Sequence, residues 1–408
     1  MNGTGASAAI GAARARARRK AQDRFGRGDR SAVGRWFWEI DRVLLLLVSV
    51  LIGIGLVAVA AASPAAGVRY SDGAVVVPPL YYFYRQCIWL ALGIPVMVAV
   101  SMLPKDIARR FCLGGAAFFT VMLAAVPLIG NTVNGARRWI GVGPLQMQPS
   151  EFLKPLFVVS IAWLLSLRQQ DKSLPVIPLS GLLTGLVALL LMKQPDFGQS
   201  VIFLIMWMAL LLLSGVSAKL IGGLCGGGVG VVVLAYLFYP VATTRIDNFI
   251  YGQGDTYQVD SAHRTLVHGG LFGMGPGGGT AKFHLPEPHT DYIFSVIGEE
   301  FGLIACLAIA LIFAAIVVRV LIKLLDEEDP FTLLASAGLV TQFGAQAVIN
   351  MCVNLQLAPS KGMTLPFISY GGSSMVALSV GFGLLLAFTR RNPYLSRSPY
   401  VVKWSTRA

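Results

Sequence analysis

Long apolar runs broken by short polar stretches repeat along almost the whole chain. They fall near residues 43–62, 82–102, 110–129, 152–168, 174–192, 197–214, 219–239, 292–324, 331–356 and 370–389. Each is long enough to cross a hydrocarbon core of about 30 Å as a helix. A helix also satisfies its own backbone donors and acceptors where no water can. The pattern therefore predicts an all-α polytopic membrane protein of about ten transmembrane helices. Its largest polar interruption, residues 240–290, falls between the seventh and eighth helices. The seventh run carries Gly222, Gly226 and Gly230 at four-residue spacing, which predicts close packing against a neighbouring helix.

Composition supports this reading and charge adds a direction to it. Of 408 residues, 55% are hydrophobic and 13% charged, which excludes a water-soluble globule. The net charge of +13 lies largely in tails and short loops, so it reports topology and not a nucleic-acid partner. Residues 1–41, with Arg14, Arg18, Arg19 and Lys20, are expected to form a disordered basic cytoplasmic tail able to touch anionic membrane lipid. Residues 42–392 form the transmembrane domain and 393–408 a cytoplasmic C-terminal tail. The first apolar run is too long for a cleaved signal peptide, and Trp36–Trp38 ahead of it suits a membrane interface. With both termini inside, the basic residues Lys105, Arg109, Arg110, Arg168, Lys172, Lys219, Arg319, Lys323, Arg390 and Arg391 also fall inside. Arg137 and Arg138 fall outside, on the face shared by loops 130–150, 240–290 and 357–369. The five cysteines show no disulfide or zinc spacing and are read as packing residues.

Four polar constellations gather toward the outer face. Asn134-Gly-Ala-Arg137-Arg138-Trp139 is followed by Gln148-Pro-Ser150-Glu151 and Lys154. Neighbouring arginines can grip a phosphate, Trp139 suits the headgroup level, and an intramembrane lysine requires a carboxylate or phosphate partner. An anchoring interfacial helix is the other reading of this loop, and Ser150 and Glu151 also resemble a helix start. Lys193-Gln-Pro-Asp196 breaks two runs, with Lys193 and Asp196 expected to neutralise each other. Glu287, His289 and Asp291 lead into a span that carries Glu299 and Glu300 two turns later. Asp291 is either a helix cap or a general base. Lys361-Gly-Met-Thr and Ser369-Tyr-Gly-Gly-Ser373-Ser374 offer backbone N–H groups and a cation to an anionic ligand, unless the loop only packs. Together these residues suggest an anionic lipid-linked substrate without separating catalysis from transport.

The motifs Asn134-Gly-Ala-Arg-Arg-Trp-Ile, Gln148-Pro-Ser-Glu, Gln194-Pro-Asp-Phe-Gly, Gly269-Gly-Leu-Phe-Gly-Met-Gly, Leu285-Pro-Glu-Pro-His-Thr-Asp, Gly298-Glu-Glu-Phe-Gly, Asn350-Met-Cys-Val-Asn and Lys361-Gly-Met-Thr-Leu-Pro-Phe-Ile-Ser-Tyr-Gly-Gly-Ser-Ser occur in one order over residues 42–392. In this the chain resembles the SEDS family (shape, elongation, division and sporulation) of bacterial cell-wall synthesis, and its division member more than its elongation member. Pro288 and Tyr292 depart from the family pattern without touching the acid.

The resemblance implies a peptidoglycan glycosyltransferase of the inner membrane that polymerises lipid II at its outer face during septal wall synthesis. It implies Asp291 as the catalytic carboxylate, a class B penicillin-binding transpeptidase and other division proteins as partners, and a divalent cation, Mg²⁺ or Mn²⁺, with ligands unknown. Arg137, Arg138, Trp139, Lys154, Lys361, Ser369 and Ser373 are the expected substrate contacts. His289, Glu151, Asp196, Glu299 and Glu300 are the expected supporting residues. A lipid II flippase and a scaffold for the transpeptidase are the alternatives; few ionisable residues lie mid-span, which favours chemistry at one surface over passage.

Overall fold

The computed structural model describes residues 32–71, 76–133, 136–142, 145–251, 257–359 and 362–390. Residues 1–31 of the proposed N-terminal tail, the whole proposed C-terminal tail at 393–408, and Asn134 and Lys361 lie outside them. Residues 32–39, expected within the disordered tail, form helix α1 (Ala32–Glu39). There follow α2 (Arg42–Tyr70), α3 (Tyr81–Ser101), α4 (Lys105–Ile129), strands β1 (Asn131–Val133), β2 (Ala136–Val142) and β3 (Leu145–Met147), then α5 (Pro149–Ser166), α6 (Val176–Met192) and α7 (Phe197–Leu213). The remainder is α8 (Ala218–Phe238), α9 (Pro240–Tyr251), α10 (Tyr257–His268), α11 (Ile293–Leu324), α12 (Pro330–Asn354) and α13 (Ser373–Phe388), with short 3-10 turns at Leu167–Gln169 and Ala281–His284.

Among the described residues, 7 helices are long and apolar enough to cross a membrane: α2, α3, α4, α5 with the turn after it, α8, α11 and α12. The shorter apolar helices α6, α7 and α13 stand where the other runs were read. The chain is thus a multi-pass membrane protein. Its centre is α5 and α12, whose most apolar stretches are 78% and 67% buried, against 6% for α8. A helix enclosed on all sides needs apolar residues all round, and α5 has them: of its 18 residues only Phe152, Ser160 and Trp163 are less than fully buried. The expected close packing of Gly222, Gly226 and Gly230 is not realised, because a side chain added at any of them would meet nothing within 4 Å. Helix α8 stands at the rim of the chain and buries only Ala235.

Two details depart from an all-helical bundle. Loop 130–150 forms a three-stranded antiparallel sheet in the order β1-β2-β3, with Thr132 opposite Arg137 and Gly141 opposite Gln146. It is not an interfacial helix: its described residues pair as strands. Helix α11 is broken at Gly302, whose φ of 80° and ψ of 177° an L-residue rarely adopts. Into that break the preceding loop is stitched: Met274 N–H donates to the Glu299 carbonyl at 2.8 Å and Leu303 N–H to the Gly270 carbonyl at 3.0 Å. The carboxylate of Glu299 accepts from Ala281 N–H at 2.7 Å, Lys282 N–H at 2.9 Å and pairs with His268 Nδ1 at 3.0 Å. Glu300 pairs with the buried Lys282 ammonium, which also donates to the Ala61 carbonyl at 3.0 Å.

At the opposite end of the bundle Asp41 caps α2 through Val43 N–H at 2.9 Å and binds Lys323 at 2.6 Å and Arg319 at 3.1 Å. Burial acts to raise the Asp41 pKa, but the bonds and charge of Lys323 and Arg319 outweigh it and hold the group below the usual carboxylate range. The same end holds Lys105, Arg109 and Asp329 around a separate cavity of about 320 Å³.

A buried ion pair broken on one side leaves an uncompensated charge, at a cost of about 3–5 kcal/mol. Lys282→Ala is expected to destabilise the folded protein by that order, and Lys282→Met with Glu300→Gln to recover most of it. Thermal unfolding in detergent measures both; equal midpoints for wild type and Lys282→Ala would show that the stitched loop contributes no stability.

Candidate active site

Helices α3, α5, α7, α11 and α13 all begin, and α2 ends, at one end of the bundle. Their termini and the small sheet enclose a cavity of about 530 Å³. Seven expected site residues line it: Arg138, Trp139, Glu151, Asp196, His289, Asp291 and Ser373.

Asp291 sits where the polar loop enters α11. Its backbone carbonyl accepts from the Asn350 side-chain amide at 2.9 Å and the Asn354 amide at 3.1 Å. Asn354 Oδ1 in turn accepts from Ser295 N–H at 3.2 Å and Ser295 Oγ at 2.7 Å. The first turn of α11 is thus served from α12, and its N-cap residue, Tyr292, makes no side-chain cap bond. Asn350 and Gln346 continue the same face one turn apart. They hold the facing loop through the carbonyls of Met363 at 2.5 Å and Thr364 at 3.0 Å. That loop approaches so closely that a Cβ on Gly362 would stand 2.8 Å from Asp291 Oδ2.

Beside Asp291, Glu287 accepts from Tyr70 OH at 2.5 Å and Thr290 Oγ1 at 2.8 Å. His289 is buried among three tyrosines, its ring 3.9 Å from Tyr82, 5.4 Å from Tyr370 and 6.0 Å from Tyr70 between centroids. Burial strips its solvation and pushes its pKa down to about 4; Arg85 acts the same way and Glu287 opposes. His289 is therefore a neutral part of an aromatic wall at physiological pH. Burial likewise raises the Tyr370 phenol, against the pull of Arg85 and Trp89.

On the opposite wall the two arginines part company. Successive residues in a strand point to opposite faces, so Arg137 turns outward to Thr132 Oγ1 and the Pro127 carbonyl, each at 3.2 Å. Arg138 turns inward and donates to the carbonyls of Gln194 at 3.1 Å and Pro195 at 2.6 Å, with Asp196 at 3.9 Å. They do not form a joint phosphate grip. Asp196 caps α7 at the Gln199 amide and faces Arg138, not Lys193 as expected. Lys154 lies beneath the cavity, 1% exposed, with Glu151 at 2.7 Å and Gln346 Oε1 at 3.1 Å. The partner of this lysine in the structure is thus a protein carboxylate. Glu151 also accepts from Gln199 Nε2 at 2.7 Å.

Ser369 is buried and accepts from Leu365 N–H at 2.8 Å, closing a turn away from the cavity. Glu299 and Glu300 hold the loop described above and do not line the cavity, and Lys361 falls outside the described residues. Sequence reasoning missed Tyr70, Tyr82, Arg85, Trp89, Gln199 and Tyr370, all lining residues. Arg85 carried a signal: an arginine a turn inside an apolar run is costly in lipid and needs a reason to be there. Asn350 and Asn354 carried another, an i, i+4 amide pair in a spanning helix. Among the described residues no group of three His, Cys, Asp or Glu side chains stands close enough to hold a metal. A Mg²⁺ or Mn²⁺ ion here would need ligands from a bound phosphate besides one or two carboxylates.

A family model described as a cell cycle protein, covering FtsW, RodA and SpoVE, matches residues 41–394. The chain is 39% identical over 376 residues to a probable peptidoglycan glycosyltransferase FtsW from Caulobacter vibrioides, covering 90% of this chain and 94% of that one. It is 32% identical to the protein of the same name from Coxiella burnetii, over 87% and 98% of the two chains. Among solved structures, a chain of a peptidoglycan synthase complex that coordinates polymerization and crosslinking matches with a TM-score of 0.70 at 27% identity, over 86% and 97%. The rod shape determining protein RodA of Thermus thermophilus matches with a TM-score of 0.62 at 26% identity, over 86% and 96%.

Because the folded protein keeps His289 neutral while an unfolded chain protonates it near its ordinary value of 6.5, the unfolded state binds more protons between about pH 6.5 and about pH 4. Stability is expected to fall as pH drops through that window. His289→Phe should flatten that part of a thermal-unfolding profile, and a profile equally steep in the variant would assign the slope to other groups.

Proposed function

This chain belongs to the FtsW/RodA/SpoVE family of cell cycle proteins, and from that premise we infer that it is a peptidoglycan glycosyltransferase. The observation that carries the inference is the carboxylate of Asp291 on the wall of the cavity, its own backbone clamped by Asn350 and Asn354. The substrate of this reading is lipid II. Asp291 takes the proton of the acceptor GlcNAc 4-hydroxyl as its oxygen attacks C1 of the MurNAc of a second molecule. The C1–O bond to undecaprenyl diphosphate breaks, and the leaving group departs with the bonding pair. A carboxylate held on rigid elements does this work because a base must stay within hydrogen-bond reach of the proton it removes.

Sidedness follows from charge. The end holding Lys105, Arg109, Arg319, Lys323 and Arg390 is the cytoplasmic one in this reading, by the positive-inside rule, with the cavity at the outer face; the three shorter apolar helices, taken as crossing too, support ten spans with both termini inside. The family and the relatives' names support a place at the division septum. The likeness to a chain of a peptidoglycan synthase complex supports a crosslinking partner, a class B transpeptidase. The two cavities share no lining residue, which favours chemistry at one surface over a flippase's continuous polar path. A divalent cation would be held here by the diphosphate oxygens together with one or two cavity carboxylates, and would offset the diphosphate charge.

Lipid II polymerisation by the purified protein with its transpeptidase tests the reading. Asp291→Asn, nearly isosteric but unable to accept the proton, is expected to lower the rate at least about 100-fold with complex formation unchanged. Gly362→Ala, which crowds the carboxylate, is expected to lower it on the order of tenfold to 100-fold. Equal product from wild type and Asp291→Asn, above that of the transpeptidase alone, would remove Asp291 as the base; product no greater than that of the transpeptidase alone would leave a scaffold or flippase in place of the enzyme.

A further inference from the structure

Of the cations nominated from the sequence to hold a phosphate, Arg137 bonds the Pro127 carbonyl, Arg138 the α6–α7 turn and Lys154 the Glu151 carboxylate, and Lys361 lies outside the described residues. A substrate with a diphosphate needs another anchor. The amino end of α13 supplies one. This helix of 16 residues opens onto the cavity, and its N-cap, Gly372, provides no side-chain cap bond. The two hydroxyls of its first turn, Ser373 Oγ and Ser374 Oγ, are buried and have no hydrogen-bond partner, although both residues line the cavity at 4% exposure. Two orphaned buried hydroxyls at one helix start are costly unless a ligand completes them. A side chain at position 371 would collide with the Ser374 hydroxyl, so Gly371 keeps that space open.

A cation stands on the adjoining wall. Helix α3 runs beside α13, with the Trp89 indole Nε1 3.7 Å from where a Cβ on Gly372 would be. Arg85 lies one turn nearer the outer end of the same face, its guanidinium 5.8 Å from the Tyr370 ring, and it too lines the cavity. We propose that the first turn of α13, Gly371-Gly372-Ser373-Ser374, together with Arg85, is the subsite that binds the diphosphate of the polyprenyl-linked substrate.

The chemistry suits the group. A helix start directs N–H donors and the positive end of its dipole at an anion. Two hydroxyls add donors, and a guanidinium matches phosphate oxygens in a bidentate fashion. These groups also meet a charge that grows as the sugar C1–O bond breaks, since the departing diphosphate gains the electron pair. The subsite rests on the glycosyltransferase reading for its role in turnover, and on its own geometry for binding.

The test is equilibrium binding of radiolabelled undecaprenyl diphosphate to the purified full-length protein in detergent, with unlabelled undecaprenyl diphosphate, inorganic diphosphate, phosphatidylglycerol and undecaprenol as competitors. Ser373→Ala/Ser374→Ala is expected to weaken binding about tenfold or more, and Arg85→Gln to weaken it similarly. The serine variant should unfold at the same or a higher temperature than wild type, because the lost hydroxyls bond nothing in the protein. Asp291→Asn should bind at least as tightly as wild type. Inorganic diphosphate should compete, while phosphatidylglycerol and undecaprenol should not. Binding within twofold of wild type in the serine and Arg85 variants would overturn the subsite, as would equal competition by phosphatidylglycerol or undecaprenol. If wild type polymerises lipid II and the variants bind normally, the subsite alone fails. If wild type makes no polymer yet binding depends on these residues, the catalytic reading alone fails.

Discussion

The backbone carbonyl of Asp291 is held from one helix, by the side-chain amides of Asn350 and Asn354 on a single face of α12. The rest of the site depends on this contact. In a membrane protein an unmet carbonyl at a helix entrance costs several kcal/mol or draws in water, and two amides remove that cost while fixing the entry angle of α11. The same face continues to Gln346, which holds the Thr364 carbonyl and accepts from Lys154. One polar stripe on a central helix thereby positions the acid, the loop opposite it and the lysine below the cavity floor.

A second constraint runs through the molecule: a charge in a low-dielectric interior must be paired. Lys154 with Glu151, Lys282 with Glu300, and Asp41 with Lys323 and Arg319 all obey it. Buried pairs are weak sources of net stability, but two of the three tie together separate segments, while Glu151 and Lys154 sit one turn apart on α5. Lys282 and Glu300 hold the glycine-rich loop in the break at Gly302, and Asp41 links the start of α2 to the end of α11. Rigidity at both ends of the bundle leaves the 530 Å³ cavity as a preformed space.

The cavity joins two walls of different character. Around Asp291 stand hydroxyls, a strained loop at Glu287 and an aromatic group in which His289 stays neutral. Across from it lie Arg138, Trp139, Glu151 and Gln199, where each charge already has a protein partner. The wall formed by the start of α13 carries two buried hydroxyls without partners, Ser373 Oγ and Ser374 Oγ, beside the Arg85 guanidinium. Substrate charge is thus expected on that third wall, and proton transfer at the first.

Hydropathy was enough to place the helices, because about 20 apolar residues in a row have one stable solution in lipid. The sequence by itself also marked Asp291, Glu151, Asp196, Arg138 and Ser373, since ionisable and hydroxyl groups at the mouths of apolar helices are too costly to be incidental. Only the tertiary structure decided where each of them sits and what it touches. Strand alternation in β2 separated Arg137 from Arg138, a difference invisible while loop 130–150 had no secondary structure. Lys154 is a buried partner of Glu151 one turn before it on α5, a spacing the sequence displays, whereas Glu299 and Glu300 are loop anchors because the fold returns residues 281 and 282 to the start of α11. Arg85, Tyr370 and the Asn350–Asn354 clamp joined the site for the same reason: they come from segments more than fifty residues from Asp291 in the chain, and only packing brings them to one cavity.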